Sequence, residues 1–279
     1  MRAAARGPGA AALAGVALAV LALSATACGR PEPGAAGSDQ AAPAAAGAAG
    51  ALPDTVVLRE PGLYPEGIEY DAGSGRFLAS SVTRGSVTCV ADDGSHGILV
   101  ADTASPSAVG LHVAGGRLYV ARADVAAAFD STVEGRARLG VYDLASGRPL
   151  YSAELGPLAP GGRHFANDVA VDGEGNAYIT DSLSPVVYRV AADGAASVFA
   201  RDTLLGGGFG LNGIELESPD GWRSARVAAR APLDAGAGPT SVALRDGAPY
   251  VLLSHLGRLG DEEPASTFEL VRVLLDGGA

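Results

Sequence analysis

The chain has 279 residues, 48% of them hydrophobic, with 40 Gly, 17 Pro and a formal charge of −11. That acidic balance argues against a nucleic-acid binder, which needs a clustered basic face. Two cysteines, Cys28 and Cys89, build neither a disulfide framework nor a zinc finger.

Residues 1–27 read as a targeting segment. Arg2 and Arg6 form a basic start, and Gly9 to Leu23 is an apolar run too short to span a bilayer comfortably. Ala25-Thr26-Ala27 fits an ordinary export cleavage site, which leaves Cys28 as a terminal thiol. The same stretch resembles a bacterial lipobox with Cys28 as the acylated first mature residue, although Ala25 stands where Leu is usual. The tether that follows favours the lipoprotein reading. Residues 28–52, starting at that cysteine, are rich in Ala, Gly and Pro without apolar periodicity, and read as a flexible linker. The folded part is then 53–279. The expected location is outside the cytoplasm, on a bacterial cell membrane through the lipid, with secretion as the alternative.

From residue 53 onward a unit recurs: an apolar strand, a turn rich in Gly or Asp, and a second strand. The copies are IEYDAGSGRFLASS from Ile68, LHVAGGRLYVAR from Leu111, VAVDGEGNAYITD from Val169 and VALRDGAPYVLLS from Val242. NGIELESPDGW from Asn212 opens in the same way, but no second strand follows its turn. Alternation with period two and Gly, Asp or Asn turns are hairpin chemistry. Further strands are predicted at 85–91, 138–144, 185–191 and 268–275, and no long amphipathic helix is visible. The fold class is therefore all-β.

Four-stranded units at roughly 40–45 residues point to a β-propeller. Innermost strands are expected to start near residues 66, 108, 167, 212 and 240. An insert at 123–138 lengthens one interval and is expected as a loop over one face. The last interval is too short for a whole blade. The strand at 55–60 is expected to pair with the C-terminal strand and close the ring, which removes exposed edges.

Three strand starts carry oxygen donors in the same register: Glu66 in YPEGIEYD, Asn167 in FANDVAVD and Asn212 in GLNGIELE. Carboxylate and amide oxygens suit a hard cation such as Ca²⁺, Mg²⁺ or Mn²⁺. Each residue alone is ordinary turn or strand-start chemistry; it is their common register that points to a site. His164 and His255 are weaker candidates for lining the channel mouth. Cys89 alternates with polar neighbours in a strand and reads as a buried small apolar residue.

The segments PEGIEYDAGSGRFLASS from Pro65, NDVAVDGEGNAYITDSLSPVVYRV from Asn167 and GFGLNGIE from Gly208 resemble the gluconolactonase and senescence-marker-protein (regucalcin-like) family of six-bladed propellers. That resemblance implies a divalent cation, most often Ca²⁺, held by Glu66, Asn167 and Asn212 together with an Asp. It implies a small lactone or ester as substrate, with the Asp serving also as general base. The chain departs from the family at that Asp. The last strand start, GPTSVALRDG, offers Thr240 and Ser241 instead. Asp220 sits in a predicted turn, and Asp168 follows a presumed ligand on a strand, where neighbouring side chains face opposite ways. The catalytic residue is left unassigned.

Two functions follow, with the protein expected as a monomer in both. One is a metal-dependent lactone or ester hydrolase outside the membrane. The other is a non-catalytic propeller that binds a protein or small ligand at the cell surface. The fold alone does not choose between them.

Overall fold

The structure is a computed structural model that describes residues 51–205, 210–214, 216 and 238–273. The leader, Cys28, nearly all of the linker, Asp220 and Trp222 lie outside the described residues.

The described chain forms four sheets, each stepping outward from an innermost strand. A strand β1 (Thr55–Arg59) comes first. The first sheet is β2 (Ile68–Asp71), β3 (Arg76–Ser80), β4 (Ser86–Val90) and β5 (His96–Ala101). The second is β6 (Ser107–Ala114), β7 (Arg117–Ala123), β9 (Arg138–Asp143) and β10 (Pro149–Glu154). Between β7 and β9 the chain makes a helical turn, α1 (Ala126–Phe129), and a two-residue strand, β8 (Gly135–Arg136). The third sheet is β11 (His164–Val171), β12 (Ala177–Asp181), β13 (Val186–Val190) and β14 (Ala196–Arg201), with β8 added in parallel at the start of β11. The last is β15 (Pro239–Arg245), β16 (Ala248–Leu253), β17 (Thr267–Arg272) and then β1. This is a β-propeller.

Local chemistry sets the hairpins. Gly115-Gly116 and Asp246-Gly247 all have positive φ, as a two-residue type I′ turn demands. The other tight turns are stapled by an Asp carboxylate that accepts from the backbone just after it. Asp71 takes the N–H of Gly73 and Ser74 at 2.9 and 3.2 Å, and Asp172 those of Glu174 and Asn176 at 3.1 and 2.8 Å. The outermost strands β5, β10 and β14 were not singled out by the repeat. They are half-exposed, and none opens a Gly- or Asp-turned hairpin of the recurring unit.

Each main core belongs to two neighbouring sheets. Leu78, Val87 and Cys89 of the first sheet pack with Leu118, Val120 and Tyr142 of the second. Tyr119, Leu139 and Val141 of the second pack with Ile179, Val186 and Tyr188 of the third. Phe77 of the first meets Tyr250 of the last, ring centroids 4.9 Å apart, in a core that also holds Val56, Leu58, Phe268 and Leu270. Arg122 is fully buried at the first boundary, where it donates to the Tyr142 hydroxyl and to the Gly85 carbonyl, both at 2.8 Å. The outer faces of the third and last sheets differ: Phe199 of β14 and Val242 and Leu244 of β15 are exposed. The chain between those two sheets is 202–238, of which 202–205, 210–214, 216 and 238 are described.

The expected closure is present. β1 pairs antiparallel with β17 over Thr55↔Val271 to Arg59↔Thr267, and its alternate residues Val56 and Leu58 point into the core. Trimming Leu58→Ala should cost about 2–5 kcal/mol through the cavity it leaves. In a domain of this size that lowers the melting temperature by roughly 5–15 °C. Thr55→Ala, on the exposed side of the same strand, is expected to change it by less than about 2 °C. Equal melting temperatures for Leu58→Ala and the parent would mean that the ring does not close through β1.

Candidate functional site

The site is built where the innermost strands converge. β15, β2, β6 and β11 are successive neighbours around the centre. Three of them carry a register shift at the same place: between Ala108 and Leu111, between Ala166 and Val169, and between Pro239 and Ser241. Such a bulge inserts an extra residue and re-aims the side chains beside it. At these three strand starts two consecutive residues therefore face the channel, and Glu66-Gly67 and Asn212-Gly213 do so without a bulge.

The first residues of these pairs are Glu66, Val109, Asn167, Asn212 and Thr240; all five line a cavity of about 380 Å³ at the channel mouth. The second residues, Gly67, Gly110, Asp168, Gly213 and Ser241, line a cavity of about 400 Å³ beyond it. Glu66, Asn167, Asn212 and Thr240 border both cavities and so form the waist between them. The structure thus brings Glu66, Asn167 and Asn212 together.

Close approach at the waist depends on glycine. A Cβ on Gly67 would collide with the Val109 carbonyl and lie 3.0 Å from the Gly110 Cα. One on Gly110 would collide with the Asp168 carboxylate and sit 2.6 Å from its Cα and 2.7 Å from the Asn167 carbonyl. Hydroxyls hold the strand starts from outside. Ser80 Oγ accepts the Gly67 N–H at 2.8 Å, and Thr180 Oγ1 accepts the Asp168 N–H at 3.1 Å. Thr180 Oγ1 donates in turn to the Asn212 carbonyl at 2.7 Å, and Ser182 donates to the Leu211 carbonyl. These bonds lash segment 210–214 alongside the end of β12.

Asp168 departs from the expectation of strict alternation. The bulge after Ala166 turns its side chain to the channel, into room left by the bare Gly110 and Gly213. Its Oδ1 accepts the Val169 N–H at 2.9 Å and its Oδ2 the Ile214 N–H at 3.1 Å. One sequence signal was available: Asp168 occupies the repeat position held by glycine in three other copies. Thr240, passed over because it carries no acid, is the second residue that only the structure brings in.

The waist is rich in unspent oxygens. Asn167 is buried, and neither its Oδ1 nor the Thr240 Oγ1 has a hydrogen-bond partner. A buried polar atom without a partner is costly and uncommon. Glu66 is half-buried. Burial pushes its carboxyl from the ordinary 4.5 up to about 8, and the negative charge of Asp168 adds to the rise. Unpartnered oxygens beside a carboxyl fit a hard cation, whose donors are all oxygen and whose charge would displace the carboxyl proton. Among the described residues, no three His, Cys, Asp or Glu side chains cluster as metal ligands. The fit rests on one carboxylate supplemented by amide and hydroxyl oxygens.

The two histidines lie elsewhere. His164 is buried with its Nδ1 2.8 Å from Asp181 Oδ2 and 3.2 Å from the Tyr188 hydroxyl. Asp181 Oδ1 also accepts the N–H groups of Phe165, Leu183 and Ser184. His164 lines a separate cavity with Glu134 and Gly156, because the bulge comes two residues later and leaves it facing opposite to Phe165. His255 sits at φ 52° before a 3₁₀ turn, with its ring 6.4 Å from that of Phe268. It is not among the residues bordering the mouth, although its neighbour Leu256 is.

No protein-family model matches the chain, and no curated protein is similar to it. Among solved structures, the major Malassezia sympodialis allergen Mala s 1 aligns with a TM-score of 0.60 at 17% identity, over 80% of this chain and 96% of that one. A likeness at that identity speaks for the fold alone. Two weaker matches add nothing to it. They are a gluconolactonase from Xanthomonas campestris (TM-score 0.43, 19% identity, 71% of this chain and 72% of that one) and a virginiamycin B lyase from Staphylococcus aureus (TM-score 0.39, 9%, 76% and 53%).

Two measurements check this geometry. Gly110→Ala should destabilise by about 1–3 kcal/mol through overpacking against backbone, whereas Gly116→Ala has open space and only its positive φ to contend with. The second concerns pH. Between about 4.5 and 8 the folded chain keeps a proton on Glu66 that the unfolded chain releases. That contribution to stability is complete below pH 4.5 and is lost as pH rises to about 8. In chelator, Glu66→Gln should melt above the parent at pH 8 and level with it near pH 5. A constant difference across that range would contradict the burial of this carboxyl.

Proposed function

We propose that the waist is the centre of a divalent-cation-dependent hydrolase acting on a lactone or related ester. The observation that carries this reading is the pair of buried, unpartnered oxygens, Asn167 Oδ1 and Thr240 Oγ1, beside the Glu66 carboxyl. The resemblance of the segments around Glu66, Asn167 and Asn212 to the gluconolactonase and regucalcin-like family supports it.

Glu66, Asn167 and Asn212 would hold the cation, most plausibly Ca²⁺ for an all-oxygen donor set, with Thr240 at hand as a fourth oxygen. When bound, a cation of this kind polarises a carbonyl and makes water more acidic. The chain's own residues supply the rest. The glycines at 67 and 110 let the strand starts close to a fixed spacing. The Val169 and Ile214 N–H groups pin the Asp168 carboxylate at the channel, where it would accept a proton from water. Asp168 thereby stands in for the acid missing at the last strand start. The apolar mouth keeps bulk water away from the reacting atoms.

A second reading is a non-catalytic propeller that binds its ligand at the same mouth. Thr240 and Ser241, in place of an acid, favour it. The sequence alone further supports export with Cys28 acylated at a bacterial membrane. The sulfur of Cys28 can carry that lipid or pair with Cys89, not both. Cys28→Ser should therefore release the protein from the membrane fraction; a wild-type chain already soluble would sink the anchor.

The activity is tested by melting the protein after chelation and adding back Ca²⁺, Mn²⁺, Mg²⁺ and Zn²⁺ separately. An ion at about 100 times its dissociation constant adds ~2.7 kcal/mol, roughly 5–10 °C here. Asn167→Ala should abolish both the shift and lactone turnover. Asp168→Asn should keep a shift while lowering turnover by at least about 100-fold. A cooperative melt that no ion moves would discard the hydrolase.

A further inference from the structure

The mouth cavity has a composition that the waist does not explain. Its wall is Val82, Val125, Phe129, Phe165, Leu256 and Leu259, with the oxygens of the waist at its floor. Among the described residues bordering it, Glu66 is the sole ionisable side chain and no Arg or His is present. An anionic ligand would find no basic side chain along this wall to pair with its charge. A polyhydroxylated ligand would give up its hydrogen bonds to water and find no partners along this wall, a desolvation cost for every hydroxyl.

One part of the wall is supplied by the insert at 123–138, which has no counterpart in the other repeats. Its helical turn α1 presents Phe129 to the mouth, 73% exposed, although a ring of that size ordinarily seeks cover. The insert is fixed in place. β8 pairs with His164 and Phe165 at the start of β11, the Arg163 guanidinium donates to the carbonyls of Val133 at 3.0 Å and Asp130 at 2.7 Å, and it also reaches that of Ala127. Phe129 is therefore held over the channel on a rigid support, with nothing of the described protein covering it.

We infer that this site takes a neutral lactone or ester with an alkyl or aromatic body, which packs against the Phe129 ring while the carbonyl end reaches the waist. This deepens the hydrolase reading and rests on it for the identity of the reacting end. The apolar selectivity itself comes from the wall, where each methylene buried improves affinity by about fourfold.

The test uses two six-membered lactones of opposite character, δ-decalactone and D-glucono-δ-lactone, titrated calorimetrically into the purified full chain in chelator. Turnover is then measured separately with the add-back cations. δ-Decalactone should bind at least tenfold more tightly. Phe129→Ala, a change on an exposed ring that leaves the melting temperature in place, should weaken δ-decalactone by about three- to tenfold and leave the sugar lactone unaffected. Equal or tighter binding of the sugar lactone, binding of neither, or an unchanged affinity in Phe129→Ala overturns the inference. The two claims separate cleanly. Tight δ-decalactone binding without turnover under any cation upholds the apolar site and sinks the hydrolase. Preferred turnover of the sugar lactone upholds the hydrolase and sinks the apolar site.

Discussion

Strands that radiate from one axis must crowd where they begin, and the way this chain relieves that crowding governs most of what lies around it. At Gly67 and Gly110 the backbones of neighbouring sheets come so close that a single added carbon would strike a carbonyl or a carboxylate. The bulges at 108–111, 166–169 and 239–241 belong to the same solution, since an extra residue lets each strand bend as it leaves the centre. Two successive residues of a strand start face the axis as a result, where strict alternation would allow one. The oxygen-lined waist and the cavities on either side of it follow from that geometry.

Buried polar groups are partnered unevenly across the molecule. Away from the axis, several buried polar groups are fully partnered: Asp181 alone receives three backbone N–H groups, a tyrosine hydroxyl and an imidazole. Arg122 is bound by a hydroxyl and by carbonyls at the joint of the first two sheets. Such groups fix the packing of one blade against the next. At the waist the same kinds of atoms are left without partners. Unpartnered buried atoms also occur elsewhere, on Ser86 and Tyr151 for example, but at the waist two such oxygens lie beside a carboxyl on one cavity wall, where a ligand can use them.

Much of this was legible in the sequence. The type I′ glycine pairs, the period-two alternation and the repeat spacing gave the inner hairpins, and the pairing of 55–60 with the C-terminal strand followed from the need to remove edges. The common register of Glu66, Asn167 and Asn212 gave the centre. What stayed hidden has physical causes. The outer strands carry half-exposed patterns that resemble loops. The orientation of Asp168 depends on a bulge, which leaves no mark in residue types beyond glycine at the equivalent positions. His164 could be assigned to the mouth or to the blade interior until Asp181 and Tyr188 were seen beside it. The insert at 123–138 reads as a loop because its helical turn is only four residues long and its strand only two.

The pairing of β1 with β17 also sets a schedule. Residues 55–59 are among the first of the domain to be synthesised, and their partners at 267–271 are among the last. Until residues 267–272 exist, β17 is missing, and the row of hydrogen-bonding groups along β16 stays bare. Contacts so far apart in sequence are slow to form, because the entropy of closing the whole chain comes before their reward. A nascent or truncated chain therefore presents two complementary sticky edges, β1 and β16. Two such chains brought close together can satisfy those edges with each other, so the latch that seals one molecule is also its route to exchange strands with a neighbour.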